Sequence, residues 1–143
     1  MILIKTPSQI DGIRASSKLA AATLKYTASF IKSGISTEFL NQKAHDYIIA
    51  HKAIPAPLNY GGFPKSICTS INNVVCHGIP SKKEILKEGD IVNIDVTTIL
   101  NGYYGDTSAT YPVGKISSEA KLLIERTKKS LDLAIKSVKA GQY

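Results

Sequence analysis

Cysteine is scarce in this chain: 2 of its 143 residues, Cys68 and Cys76, and neither belongs to a CxxC pair. The ligand spacing of a structural zinc site is therefore missing. If both thiols lie on one extended strand, at about 3.3 Å per residue they are too far apart for a disulfide, and buried or pocket-lining thiols are expected. Long apolar runs are missing too, since none reaches the roughly 20 residues of a membrane helix. The opening Met1-Ile2-Leu3-Ile4-Lys5 lacks the basic and then long apolar regions of a secretory leader. A soluble, cytoplasmic protein that uses no membrane is the expectation. Acidic residues are outnumbered, 11 Asp plus Glu against 18 Lys plus Arg, for a net charge of +7. Such a balance permits attraction to nucleic acid or to a nucleic-acid-rich particle. The basic residues are nevertheless spread through Lys82, Lys83, Lys87, Lys121, Arg126, Lys128, Lys129, Lys136 and Lys139, without a nucleic-acid-binding motif. A solvating role is the leading account of them and a useful basic surface the other. With no internal repeat, low-complexity tract or long linker, a chain that is 43% hydrophobic fits one domain around one ordinary core.

What is present is organised around residues 89–110, GDIVNIDVTTILNGYYGDTSAT. Two β-runs flank Asn101-Gly102, a pair suited to the type I′ turn of a two-residue hairpin. That turn sets Leu100 opposite Tyr103, Thr97 opposite Asp106 and Asp95 opposite Ser108, so Asp95 and Asp106 are diagonal neighbours on one face. Diagonal residues are roughly 7–8 Å apart in the backbone and closer at their side chains, near enough to share one or two cations. Val92, Ile94, Val96 and Leu100 point to the other face. Two acids in β-rich, otherwise uncharged surroundings are costly unless compensated, and a bound metal compensates them efficiently. An ordinary hairpin with a solvated polar face is the competing account, and a β-bulge would upset the register.

Along the rest of the chain, Thr6-Pro7-Ser8-Gln9 forms a capping box that starts a helix, with Ile10, Ile13, Ala20, Leu24 and Ile31 at helical spacing before Lys32-Ser33-Gly34. Ser36 starts a second helix carrying Leu40, Ala44, Tyr47 and Ile48; His45 and His51, within and after it, lack local partners for a metal and read better as non-ligands. Residues 54–64, IPAPLNYGGFP, break regular structure and suit a loop over a cleft. Residues 65–80 read as one strand ending in a turn, with His77 placed where an imidazole can address a pocket. A third helix begins near Ser117, with Leu123, Thr127, Leu131, Ala134 and Val138 as its inward stripe.

Taken together, NYGGFPKSICTSINNVVCHGIP (residues 59–80), GDIVNIDVT (89–97) and GYYGDTS (102–108) resemble type I, bacterial-type methionine aminopeptidase over essentially the whole chain. The resemblance implies an α+β architecture, the N-terminal half of the pita-bread fold shared by creatinase and the aminopeptidases, with an antiparallel sheet and flanking helices. It implies that Asp95 chelates one ion and Asp106 bridges both in a centre of two divalent metals, Mn, Fe, Co or Zn, and that His77 serves catalysis beside the substrate amide. Tyr60, Phe63 and Cys68, with His77, would line the substrate pocket. Asn72 and Val74 would give oxygen ligands to a monovalent cation, Na or K. The implied activity is removal of the initiator methionine from nascent polypeptides, by a monomeric complete enzyme with transient ribosome association. A non-catalytic basic domain of the same fold, associating with ribosome or RNA, is the alternative. In the family a histidine and two glutamates complete the metal shell and a further histidine serves catalysis, all from a second half. Residues 1–143 therefore correspond to a partial catalytic domain, whether as a fragment, a truncated product or half of an assembly.

Overall fold

The computed structural model describes residues 3–141; the first two residues of the leader reading lie outside them. Helix α1 (Pro7–Ala28) opens on the expected capping box: the Thr6 side chain accepts from the Gln9 amide, and Gln9 Oε1 accepts from the Thr6 amide. Ser36 caps α2 (Thr37–Ala50), its side chain accepting from the Phe39 amide. A short strand β1 (Ile54–Pro55) and one turn of 3-10 helix at Tyr60–Gly62 follow, then β2 (Cys68–Ile71), β3 (Ile91–Leu100), β4 (Tyr103–Pro112) and α3 (Ser118–Ser137).

Strand β3 is the spine of an antiparallel sheet. It pairs along its length with β4, and its other edge takes β2 against Val92 to Asp95 and β1 against Thr98 and Ile99. Alternation along β3 is strict: Val92, Ile94, Val96 and Thr98 are fully buried, while Asn93, Asp95 and Thr97 on the other face are only partly so. The buried face packs on Leu19, Ala20 and Leu24 of α1 and on Leu40, Ala44 and Ile48 of α2, with Ile67, Leu86 and Val113 completing the core.

Small residues let α1 lie close on the hairpin. Ser16 and Thr98 meet in the buried contact, with their hydroxyls 3.0 Å apart and each also bonding the other's carbonyl at 3.1 Å. The polar atoms that close packing traps there are thus satisfied. Beside them a Cβ on Gly105 would stand 2.3 Å from the Ser16 backbone, so the hairpin can approach the helix only with glycine at that position.

Four expectations need correction. The single strand over residues 65–80 does not form: β2 ends at Ile71, and the chain reverses through Asn72, which sits in the left-handed region at φ +50°. Thr69 then pairs back with Gly78, its amide donating to the Gly78 carbonyl at 2.9 Å. That reversal undoes the distance argument about the cysteines; both are free thiols, Cys68 buried as expected but Cys76 exposed. On α1, Ala20 and Leu24 are buried as expected, but Ile10 is 44% exposed, and Ser16, Leu19, Thr23 and Thr27 complete the buried face. Helix α3 starts where expected, capped by Ser117, but buries none of its residues. Leu123 and Leu131 of its stripe are 57% and 59% exposed, because nothing among the described residues packs over them.

Candidate metal and substrate site

The two carboxylates come together through the hairpin register. Asp95 pairs with Ser108 and Thr97 with Asp106, with no bulge between them, and the turn falls on Asn101 and Gly102 at φ +51° and +81°. Asp95 and Asp106 thus share the face opposite the core, close enough for their side chains to hydrogen-bond. Thr97 holds the second of them, its hydroxyl donating to Asp106 Oδ1 at 3.0 Å. The hairpin register signals this role for Thr97, but the acids alone do not.

These residues floor a cavity of about 760 Å³. Its walls are Ala56, Pro57 and residues 60–64, Cys68 of β2, His77 and Ile79 after the reversal, and Tyr104 of β4. Tyr60, Phe63, Cys68, His77, Asp95 and Asp106, each singled out from the sequence, therefore line one space. His77 reaches it because the chain turns left-handed there, at φ +56°, and because Gly78 lies flat on β2. A Cβ on Gly78 would stand 2.0 Å from the Thr69 carbonyl oxygen. Tyr60 is 81% exposed, so the wall it forms is open on its outer side.

Electrostatics at the floor favour a cation. Partial burial holds the Asp95 carboxyl above its ordinary pKa, the negative charge of Asp106 adds to the rise, and His77 opposes it. Burial pushes the Cys68 thiol up to about 11, with Asp95, Cys76 and Asp106 adding to the effect. Cys68 is thus a neutral, weakly nucleophilic wall. Two neighbouring carboxylates, with Asp95 held above its ordinary pKa, form a hard oxygen donor pair that fits divalent metal. Among the described residues no group of three His, Cys, Asp or Glu side chains is placed to hold an ion, so the donor set present is this pair.

Asn72 and Val74 lie apart from the cavity, beside a shallower depression that includes Asp90. The Asn72 side chain is already engaged: Oδ1 accepts from the Ile91 amide at 3.0 Å, and Nδ2 donates to Asp90 at 2.8 Å. Of the other histidines, His45 Nδ1 bonds Ser66 Oγ and His51 Nδ1 bonds the Tyr47 carbonyl, both at 2.8 Å.

The pattern of metallopeptidase family M24 matches residues 11–143. The chain is 53% identical over 140 residues to methionine aminopeptidase of Rickettsia prowazekii, covering 98% of this chain and 54% of that protein. It is 54% identical to the Buchnera aphidicola methionine aminopeptidase, covering 97% and 53%. It spans about half the length of the relatives it matches. In three dimensions it superposes on methionine aminopeptidase from Thermotoga maritima with a TM-score of 0.94 at 36% identity, covering 97% of this chain and 56% of that one. The Rickettsia crystal structure gives 0.88 at 56% identity, covering 90% and 52%. The α+β sheet with flanking helices is that of the pita-bread proteins. A hairpin that pairs two acids at the floor of an aromatic cavity, and a match of this extent, place the chain in metallopeptidase family M24.

Proposed function

We propose that residues 1–143 form the N-terminal half of the catalytic domain of a methionine aminopeptidase, an enzyme that removes the initiator methionine from nascent polypeptides using divalent metal. The observation that carries the reading is the Asp95/Asp106 pair on the floor of the cavity that also holds Tyr60, Phe63, Cys68 and His77. A basic binding domain for ribosome or RNA would have no use for two paired acids on a cavity floor, with burial resisting the ionisation of Asp95.

In this reading Asp95 and Asp106 hold two divalent ions, Mn, Fe, Co or Zn, together with a histidine and two glutamates of the second half. Bound there, the metals supply Lewis acidity and an acidified water. The chain's own groups divide the remaining work. Thr97 fixes the rotamer of Asp106 through its hydrogen bond. His77 meets the substrate amide from the cavity wall and hydrogen-bonds as charge develops there. Tyr60, Phe63 and the neutral Cys68 receive the methionine side chain, which is unbranched, polarisable and free of charge to desolvate. Because the Asn72 side chain is occupied, backbone carbonyl oxygens of Asn72 and Val74 would be the groups that hold a Na or K ion. The working enzyme is a cytoplasmic monomer that meets nascent chains by transient association with the ribosome.

The test is hydrolysis of Met-Ala-Ser by the gene-encoded protein with each of the four metals, beside the matched Lys-Ala-Ser peptide. Metal-dependent release of methionine, with Lys-Ala-Ser left intact, is the expected result. Tight RNA binding without hydrolysis under any metal would overturn the assignment.

A further inference from the structure

The aromatic wall of the cavity is carried by a loop with little regular structure, yet the loop's exit is fastened to one stripe of α2. Glu38, Asn41 and His45 fall at helical spacing on that stripe. The Asn41 side-chain oxygen accepts from the Ser66 amide at 2.9 Å, and His45 Nδ1 bonds the Ser66 hydroxyl at 2.8 Å. Glu38 takes the preceding residue: Lys65 Nζ donates to its Oε2 at 2.5 Å, while Asn41 Nδ2 steadies its Oε1 at 3.3 Å. Ser66 and Asn41 are 2% and 6% exposed, so their bonds compete little with water. Two consecutive residues are thus gripped through backbone, hydroxyl and ammonium groups, just after Phe63 and just before Cys68.

We infer that Glu38, Asn41 and His45 are positioning residues that set the distance between the Phe63 and Cys68 walls, and so the side chain the cavity admits. None of the three lines the cavity. They act through Lys65 and Ser66, as the supporting shell of a binding site does. The inference rests on the reading of this cavity as the methionine pocket.

Cys68 offers a readout that needs neither activity nor ligand, and exposed Cys76 serves as its control in the same molecule. The gene-encoded protein is treated with iodoacetamide in chelator, and labelling at each cysteine is followed by peptide mass spectrometry. His45→Ala and Asn41→Ala are expected to raise labelling of Cys68 relative to Cys76 by about five- to tenfold, the scale set by losing one buried hydrogen bond. His45→Gln, which keeps a polar group in reach of Ser66, should restore most of the parent ratio. Gln42→Ala, on the exposed side of α2, should leave the ratio unchanged. Ile48→Val lowers stability from the core of the same helix and separates positioning from general loosening. If it raises the ratio as much as His45→Ala does, or if His45→Ala leaves the ratio at the parent value, the inference is overturned. In peptide assays on the same variants, the preference for N-terminal Met over Leu should fall in His45→Ala and recover in His45→Gln. Absence of hydrolysis by the parent protein would remove the pocket reading, while the labelling comparison would still decide whether α2 holds the loop.

Discussion

The β3–β4 hairpin and helix α3 are both long, regular and well capped, yet their surroundings differ completely. The hairpin has a buried face pressed on α1 and α2 and an opposite face that forms the cavity floor. Helix α3 has an apolar stripe with nothing over it among the described residues; Leu131, Ile135 and, at the C-cap, Val138 are 59%, 63% and 80% exposed. Its supports are local: the Ser117 cap, Glu119 in the first turn, Lys136 in the last, and exposed i,i+4 pairs Lys121–Glu125 and Lys128–Asp132. Such contacts contribute a few tenths of a kcal/mol each. In the hairpin, function and stability both follow from strand register, whereas an amphipathic helix of this kind takes its stability from a packed partner.

Breaking the hairpin's function should have the largest effect. Asp106→Asn keeps the shape and the Thr97 contact but removes the charge expected between two cations. Metal-dependent turnover of Met-Ala-Ser by the gene-encoded protein should fall by roughly a hundredfold or more, on the scale of electrostatic groups at reacting centres. Unchanged turnover and metal stoichiometry would rule out the bridging role.

Breaking the hairpin's packing comes next. Ile94→Ala opens a cavity in the centre of the core and should cost about 2–5 kcal/mol in denaturant unfolding. Gly105→Ala should also destabilise, by about 1–3 kcal/mol, since the new methyl meets the α1 backbone rather than a mobile side chain. A loss below about 0.5 kcal/mol in either would mean that α1 and the hairpin are not pressed together as described.

The cavity face of the same hairpin should behave in the opposite sense. The Asp95 carboxyl titrates above its ordinary value of 3.8 in the folded chain, so the folded state binds this proton more tightly than the unfolded state does. Without metal, that term makes stability fall as pH rises from the unfolded to the folded pKa, and the full penalty persists above it. Asp95→Asn should therefore raise the melting temperature of chelated protein at neutral pH, with the gain disappearing below about pH 4. Added divalent metal should reverse the ranking by stabilising the parent alone. A variant that melts lower than the parent in chelator would show that the Asp95 charge is not a strain on the fold.

How much of this is legible in the sequence depends on how local the determining physics is. Caps and turn are local: Thr6, Ser36, Ser117 and Asn101-Gly102 sit where sequence places them, and the turn then dictates which residues face Asp95 and Asp106. The reversal at Asn72 escaped because Asn72-Asn73 is a weak turn signal inside a β-rich run, and its left-handed geometry is held by Asp90 and Ile91 from a distant segment. Ala20 and Leu24 of the inner face of α1 were legible, while its N-terminal part escaped for a related reason. Close approach to Gly105 and Thr98 selects Ser16 and other small residues over Ile10 and Ile13, which a hydrophobicity pattern ranks higher. The grip of α2 on Ser66 joins residues more than twenty positions apart, through a histidine whose local sequence offers no ligand partner.

The smallest effect on folding is expected on α3, and it sharpens the comparison most. Leu131 and Ile135 are separated by one helical turn on the exposed stripe and touch no core residue. Leu131→Lys with Ile135→Lys exchanges apolar side chains for good or adequate helix formers whose charge suits the C-terminal half of the helix dipole. In the 143-residue chain the pair should shift unfolding by no more than about 0.5 kcal/mol, as surface substitutions do. Because the stripe is an exposed apolar patch, the same pair should lower self-association of that chain, measured by sedimentation at rising concentration. In a protein of its relatives' length, any segment that covers α3 would convert these lysines into buried, unpaired charges costing several kcal/mol. A large loss of stability in the short chain would mean that α3 is packed after all, and the contrast with the hairpin would fail.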